Sequence, residues 1–312
     1  MLEKITATTN FVIENANYVS IDEEKLQEFA NKIKDTKTIH WLASNPFGLL
    51  NLSKEELSLF LLIYGSIDFC FWGNPKWTIQ TEIGNLDGAF ALLYALLKEA
   101  KENKQFLTPM YLKNLTEEQF ETILKGNTKI PLFKERYYRI TSIGKILVEK
   151  NITSFYQEIN EKTTDTELFD YVIQTFPFLE DTRTYNGKTI YFYKLAQLMT
   201  SDILHLRAMK ENIKVDISHL VGCADYKLPQ VLHQFGVISY KNELEQQLLK
   251  KQEINENAKE ETEIRAATIV AIHKLSEITG IDAIEINDMI WLQGQDKSLP
   301  WIPYHLTKTS SY

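Results

Sequence analysis

The sequence predicts a mainly α-helical protein with a small β-hairpin element, and two observations support this fold class. Three segments have the pattern of a capping box, in which Ser or Thr is followed three residues later by Glu or Gln. These side chains satisfy backbone N–H groups that the start of a helix leaves unpaired. Strand signals are sparse, and the clearest is 184–190, where Asn186-Gly187 between β-branched and aromatic residues is typical of a type I′ hairpin turn.

The predicted helices follow from their caps in chain order. The three capping boxes pair Ser53 with Glu56, Thr116 with Gln119, and Thr164 with Glu167. An earlier helix begins after Asp22, because the next apolar residues recur at the spacing of one helix face. Further helices are predicted over about 86–96, 241–256 and 259–279, the last ending at Gly280.

Length, charge and cysteine usage limit the class of protein. The 312 residues exceed the roughly 250–300 at which single cores stop growing, so 1–312 is predicted to be one domain, either undivided or as two helical lobes with the site between them. The net charge of −8 disfavours general binding to nucleic acid. Two cysteines without a CxxC pair, no signal-peptide pattern and no apolar stretch near the roughly 20 residues of a membrane span indicate a cytoplasmic protein.

Several common catalytic motifs are missing from the sequence. There is no P-loop, no GxGxxG after a predicted strand and no GxSxG elbow. The six histidines are scattered, without HExxH or another close pair of metal ligands. Neither a metal nor another cofactor is therefore expected.

Asp225 is a candidate catalytic carboxylate because it is predicted to lie in a short turn between two helices. Asp216 and Gly222 are predicted to begin and end the first helix, and Pro229 and Gly236 the second. Such a turn holds a carboxylate rigidly and leaves it reachable. The alternative is that Asp225 only caps the helix that follows.

Lys194 is the second candidate, at the start of a helix that follows the hairpin. It shares a predicted stripe with Gln197 and Ser201. A cation in the first turn opposes the helix dipole, and such an unfavourable position indicates use. The alternative is a solvated lysine.

Aromatic rings accompany two further acids. The segment 67–77 places four rings around Asp68, which suits a slot for a flat heterocycle with the acid binding its N–H groups. The alternative is an aromatic core. Asp288 and Trp291 repeat the pairing at i, i+3, and their alternative is a helix face with one core ring.

Two other segments contain cationic candidates. Arg265, on a predicted helix, has the geometry to bind a carboxylate or a phosphate with two hydrogen bonds, and the alternative is a surface ion pair. The segment 303–308 is a lightly basic tail, which by default is a frayed end.

Taken together, these segments resemble the queuosine salvage family, the queuosine 5′-phosphate N-glycosylases. The resemblance spans about residue 20 to the end of the chain. Seven pieces in the family's order support it: 68–72, 86–93, 130–136, 176–181, 192–197, 224–230 with 236–240, and 263–265. It implies a fold related to the helix-hairpin-helix DNA glycosylases, adapted to a mononucleotide.

The resemblance also implies roles for individual residues. Asp225 would be the catalytic carboxylate, and Lys194 would hold it ionised. The other expected substrate contacts are His40, Asp68, Phe69, Trp72, Cys223, Tyr226, Arg265, Asp288, Met289, Trp291 and His305. Among these, Arg265 and His305, together with Lys308, are candidates for the 5′-phosphate. The sequence departs from the family at Leu195, where Arg is frequent, and at Cys223, where an aromatic ring is frequent.

The implied reaction is hydrolysis of the bond between C1′ and N9 of queuosine 5′-monophosphate, which releases queuine and ribose 5-phosphate. The expected partner is therefore a small nucleotide, with no stable nucleic-acid complex and no membrane. One alternative is a non-catalytic protein that binds queuine or related 7-deazaguanine bases. Another is a base-excision enzyme acting on DNA or tRNA, which the net charge disfavours.

Overall fold

The computed structural model describes residues 1–37, 40–296 and 298–312, which are mainly helical, as predicted. The α-helices in chain order are α1 (Leu2–Glu14), α2 (Glu23–Ile33), α3 (Lys54–Ser66), α4 (Gly88–Glu102), α5 (Pro109–Asn114), α6 (Glu117–Ile123), α7 (Phe133–Glu149), α8 (Phe155–Ile159), α9 (Asp165–Thr175), α10 (Lys194–Glu211), α11 (Lys227–Gln234), α12 (Asn242–Leu249), α13 (Lys259–Thr279) and α14 (Ala283–Gln293). Short 3₁₀ helices cover Trp41–Ser44, Pro46–Asn51 and Pro177–Leu179.

The predicted caps are confirmed. Ser53, Thr116 and Thr164 begin α3, α6 and α9, each with both hydrogen bonds of its capping box. Asp22 accepts a hydrogen bond from the first turn of α2. Gly280, at φ 72°, ends α13, because a residue without Cβ adopts the left-handed conformation at low cost.

Several predicted helices differ from the structure. The α4 helix begins at Gly88, since the residues before it belong to a strand. The α12 helix ends at Leu249 because Lys251, at φ 53°, turns the chain away. The predicted helix over 216–222 is wrong. Asp216 instead accepts hydrogen bonds from the backbone and hydroxyl of Ser218, and its backbone forms an isolated bridge with Thr164.

Three two-stranded antiparallel sheets complete the described part of the fold. The strands are β1 (Val19–Ile21), β2 (Thr78–Thr81), β3 (Gly84–Asp87), β4 (Thr182–Tyr185), β5 (Lys188–Tyr191) and β6 (Ile238–Tyr240). The predicted hairpin is confirmed as β4–β5, with Asn186 and Gly187 both at positive φ. The β2–β3 hairpin and the β1–β6 pair were not predicted.

Buried apolar side chains form two clusters. The larger receives residues from α3, α4, α7 and α10, and the smaller from α2, α11 and α14. The α13 and α14 helices contribute to both. Whether 1–312 is undivided or consists of two lobes stays a prediction. Within the described ranges, no helix has both the length and the apolar character that crossing a membrane requires.

Candidate active site

A cavity of about 250 Å³ lies between helices of the two clusters. Its buried lining contains four carboxylates and one lysine, namely Asp68, Asp202, Asp225, Asp288 and Lys194. Aromatic rings line it as well: Trp41, Tyr64, Phe69, Phe71, Phe90, Tyr226, Trp291, Trp301, Tyr304 and Tyr312. A partly apolar cavity with a few convergent polar groups is the usual form of a small-molecule site.

Asp225 lies in the turn before α11, and its two carboxylate oxygens differ in their contacts. Oδ1 accepts hydrogen bonds from the backbone N–H of Lys227 (2.7 Å) and of Leu228 (3.0 Å). Oδ2 has no donor among the described residues, and the side chain lines the cavity. The capping alternative and the site prediction are therefore compatible, because the cap fixes one oxygen and leaves the other for a ligand.

The charge of Asp225 is set by opposing effects. Burial raises its pKa above the usual value, while Lys194 and the two backbone N–H groups act in the opposite direction. Burial is the larger effect. Lys194 lowers the pKa of Asp225, as expected, but burial outweighs it and the pKa is raised overall.

The loop before Asp225 is fixed by side chains from two helices. The amide of Gln197 donates to the carbonyl of Gly222 (3.0 Å) and accepts from the N–H of Val221 (2.9 Å). Asn287 accepts from the N–H of Cys223 (2.9 Å). These hydrogen bonds attach the loop before Asp225 to α10, through Gln197, and to α14, through Asn287.

Lys194 is the first residue of α10 and follows Tyr193, which has the left-handed φ of 52°. It is buried, so the solvated alternative is wrong. Its Nζ lies 3.3 Å from Asp68 Oδ2 and 3.2 Å from the Asp68 carbonyl. Burial lowers the pKa of Lys194, but the charges of Asp68 and Asp225 outweigh burial and raise it overall. Its direct partner is thus Asp68.

Asp68 begins a strained segment that places it in the cavity. Cys70 has a φ of 45°, and its N–H donates to the carbonyl of Tyr312 (2.8 Å). Arg136 donates to the carbonyl of Phe69. Non-glycine residues in this conformation cost about 1–3 kcal/mol and concentrate at functional sites. Oδ1 of Asp68 is buried without a hydrogen-bond partner among the described residues.

A second acidic group occupies another part of the lining. Asp202 accepts from Trp41 Nε1 (2.7 Å) and lies 3.2 Å from His40 Nε2, which is 3.8 Å from Asp288. His40 stacks on His205 at 3.9 Å. Burial raises the pKa of Asp202 to about 7 and that of Asp288 to about 6. It lowers the pKa of both histidines to about 4, so they are neutral at pH 7.

Eight predicted site residues line the cavity: Lys194, Asp225, Asp68, Phe69, Cys223, Tyr226, Asp288 and Trp291. On α10, the residues that line the cavity are shifted by one position from those of the predicted stripe. Lys194, Leu198 and Asp202, at i, i+4 and i+8, line the cavity. The predicted neighbours Gln197 and Ser201 instead contact the loop at 221–222 and His205. Asp202 could have been found from this spacing.

Five predicted contacts lie outside the lining: His40, Trp72, Arg265, Met289 and His305. Trp72 donates to the carbonyl of Thr307, and Met289 lies in the smaller core cluster. His305 is buried against the hydroxyl of Tyr312 (3.1 Å), and the nearby tail is packed rather than frayed. Lys308 is exposed and does not line the cavity either.

Arg265 is neither a surface ion pair nor a phosphate ligand. Its guanidinium is fully buried and makes two hydrogen bonds to the Asp181 carboxylate, at 2.8 and 2.6 Å. The rings of Phe192 and Tyr312 lie on it at 4.0 and 4.6 Å. Arg265 itself does not line the cavity.

Among the described residues, the side chains spaced to hold a metal ion are Asp165, Asp216 and His219, which lie outside the cavity. The buried Asp165 carboxylate already accepts backbone N–H groups of His219 (2.7 Å) and Leu220 (3.1 Å). These contacts connect the loop to the start of α9 and account for the cluster.

Comparison with known proteins identifies the family of this chain. Residues 50–312 match the family described as Queuosine salvage protein. Three similar proteins are named Queuosine 5'-phosphate N-glycosylase/hydrolase. The one from Sphaerobacter thermophilus is 30% identical, over 99% of this chain and 97% of its own length. Those from Dictyostelium discoideum (29% identical, 100% and 99%) and Bos taurus (27% identical, 98% and 97%) align similarly. The chain therefore belongs to the queuosine salvage protein family.

Proposed function

We propose that this chain is a nucleotide N-glycosidase that hydrolyses queuosine 5′-phosphate to queuine and ribose 5-phosphate. The observation that supports it most directly is the free Oδ2 of Asp225, in an aromatic cavity that also holds the buried Lys194. The names of the relatives supply the substrate class. The cytoplasm is the proposed location, since both cysteines are free.

The leaving group explains why a carboxylate is needed. Queuine is a 7-deazaguanine and has carbon where guanine has N7, so protonation at that position cannot assist departure. Positive charge instead develops at C1′ and O4′ as the bond to N9 lengthens. A fixed carboxylate beside these atoms stabilises the charge, because it is already oriented and needs no rearrangement of solvent.

The remaining steps balance with one water molecule. The electron pair of the C1′–N9 bond leaves with the base, and the water oxygen bonds to C1′, either directly or after Asp225 has formed a covalent intermediate. The proton released by water passes to Asp225 and then to the base. Burial raises the pKa of Asp225, which makes it a better proton acceptor than a solvated aspartate.

Recognition of the base is proposed for the second acidic group. Asp202 and Asp288 present oxygens to the N–H edge of the heterocycle, and Trp41 and Trp291 line the same cavity to contact its face. His40 contacts both acids from outside the lining. It is therefore assigned to orient them rather than to touch the base.

Binding of queuine is expected to weaken at acidic pH. The pKa values of Asp202 and Asp288, about 7 and 6, lie above those of ordinary carboxyls. Both carboxylates are charged above pH 7 and gain protons as the pH falls through these values, which removes acceptors. We expect the Kd to rise about tenfold from about pH 8 to about pH 5, measured by titration calorimetry. Asp202→Asn should remove the part of the increase in Kd that occurs near pH 7, where Asp202 titrates. A pH profile of the Kd that is the same in Asp202→Asn as in wild type would refute the assignment.

The 5′-phosphate is assigned to Lys227 in place of Arg265, His305 and Lys308. Lys227 is half-buried, lines the cavity and lies two residues after Asp225. Its Nζ contacts Gln230 (3.2 Å) and lies over the ring of Tyr304. The sugar that contacts Asp225 therefore has a cation nearby for its phosphate.

Lys227→Met is expected to raise the KM for queuosine 5′-phosphate about tenfold and to leave hydrolysis of the nucleoside unchanged. Lys76→Met, which removes an exposed cation of the same rim, is the matched variant and should have a smaller effect. Steady-state kinetics on both substrates measures the ratio. Equal losses on nucleotide and nucleoside would show that Lys227 does not bind phosphate.

One assay separates the proposed function from its alternatives. The protein is incubated with queuosine, queuosine 5′-phosphate and queuosine-containing tRNA, and free queuine is measured by chromatography. We expect release from the nucleotide and none from tRNA, because the charge of −8 disfavours a polyanion. Binding of queuine without release from any substrate would identify a binding protein instead. Release from tRNA would identify a base-excision enzyme.

A further inference from the structure

A buried ion pair outside the cavity makes hydrogen bonds to the backbone of Lys194 and of Ala224, the residue before Asp225. Arg265 and Asp181 make two charge-assisted hydrogen bonds, and both side chains are almost completely buried. Each side chain makes one further hydrogen bond, in both cases to the backbone. Oδ2 of Asp181 accepts the N–H of Lys194 (3.1 Å), and Nε of Arg265 donates to the carbonyl of Ala224 (3.2 Å). Ala224 directly precedes Asp225.

The hairpin between Asp181 and Lys194 explains how one acid reaches the start of α10. The strands β4 and β5 pair antiparallel, so the end of β5 lies beside the start of β4. The N–H of Phe192 therefore donates to the carbonyl of Asp181 (3.0 Å). Asp181 then accepts the N–H of Lys194 with its side chain. The small β element of this helical protein thus brings the catalytic lysine to the ion pair.

The other partner is held on α13. Arg265 lies between the rings of Phe192 and Tyr312, and its Nη1 is 3.8 Å from Glu261, one turn earlier on the helix. Arg183 approaches the same Asp181 at 3.6 Å. The guanidinium therefore has little freedom to move, and the Ala224 carbonyl is fixed relative to α13.

We propose that Arg265 and Asp181 are positioning residues that set the distance between the Asp225 carboxylate and Lys194. The inference rests on the proposed function for the roles of those two residues. It assigns the pair no contact with substrate. A bidentate arginine is suited to this task because its planar fork serves Asp181 while Nε remains free for Ala224. Small displacements of a catalytic group are costly, since about 1 Å can lower the rate about 100-fold.

The kinetic test uses Arg265→Lys, which keeps the buried charge but cannot make all three hydrogen bonds. We expect kcat for queuine release to fall about 100-fold, with KM within about threefold of wild type. Asp181→Asn should give the same signature, and the double variant should be no worse than either single one, because both act through one pair. Arg183→Lys is the matched control: it contacts Asp181 but no backbone of the site, so kcat should stay unchanged.

Amide hydrogen exchange provides a readout that does not depend on turnover. The N–H of Lys194 donates to Asp181, and those of Lys227 and Leu228 donate to Asp225. In Arg265→Lys, exchange should accelerate in 191–197 and 222–230 and stay unchanged in α3. Wild-type kcat with unchanged exchange would overturn the proposal, and so would a uniform acceleration over the whole chain. If the wild type releases no queuine, the proposed function fails, and exchange still decides whether the pair positions both segments.

Discussion

Asp225→Asn is expected to lower the rate of queuine release at least about 1,000-fold while changing the Kd for queuine by less than about threefold. Asparagine has nearly the same shape, and it caps a helix as well as aspartate does, so the contacts with Lys227 and Leu228 persist. The negative charge proposed to lie beside C1′ is lost, and with it the carboxylate that would accept the proton of water or attack C1′. Single-turnover measurement of queuine, with calorimetry for binding, separates the two quantities.

Asp216→Asn is the matched control for this experiment. Asp216 also lies in a turn and accepts a backbone N–H, from Ser218 (3.0 Å), but it does not line the cavity. Its substitution should leave both turnover and binding unchanged. If Asp225→Asn retained more than about a tenth of the wild-type rate, the carboxylate would not be the group that stabilises the sugar.

Lys194→Met should have the second largest effect, on both activity and stability. The lysine is the buried cation next to Asp68 and Asp225, and its removal takes its positive charge away from these two carboxylates. Breaking a buried ion pair costs about 3–5 kcal/mol, so a marked decrease in the melting temperature is expected. The rate of queuine release should fall about 100-fold or more.

The pH dependence of Lys194→Met identifies the cause of its loss of activity. Lys194 acts to lower the pKa of Asp225, which burial has already raised. Without the lysine, the pKa of Asp225 rises further, so Asp225 becomes protonated at higher pH. The acidic limb of the rate profile should therefore shift to higher pH. The double variant Asp68→Asn, Lys194→Met should regain stability but not activity. A pH profile identical to that of wild type would contradict the proposed coupling.

Local sequence signals predicted much of this fold, because the residues that cap the start of a helix lie within four consecutive positions. The capping boxes at Ser53, Thr116 and Thr164 and the Asn186-Gly187 turn all appear as expected. The segment 216–222 shows the limit of such signals. Asp216 there uses its side chain for a turn, and its backbone pairs with Thr164, a distant residue that no local pattern indicates.

The candidate site was harder to predict, since its residues come from the whole chain. Local turn and helix-start positions made Asp225 and Lys194 candidates with open alternatives, and the family resemblance implied their roles. Arg265 was assigned to phosphate because a sequence shows its charge and not its partner, and Asp181 lies 84 positions away. Asp202 was missed because the stripe was counted from Lys194 at i+3 and i+7, whereas the residues that line the cavity lie at i+4 and i+8.

A crystal structure of Asp225→Asn with queuosine 5′-phosphate bound would show whether residue 225 faces the anomeric carbon of the sugar. We expect the side chain of residue 225 to lie about 3–3.5 Å from C1′, with the base toward Asp202 and Asp288 and the phosphate toward Lys227. A nucleotide bound with its anomeric carbon turned away from that side chain, beyond direct contact, would contradict the account.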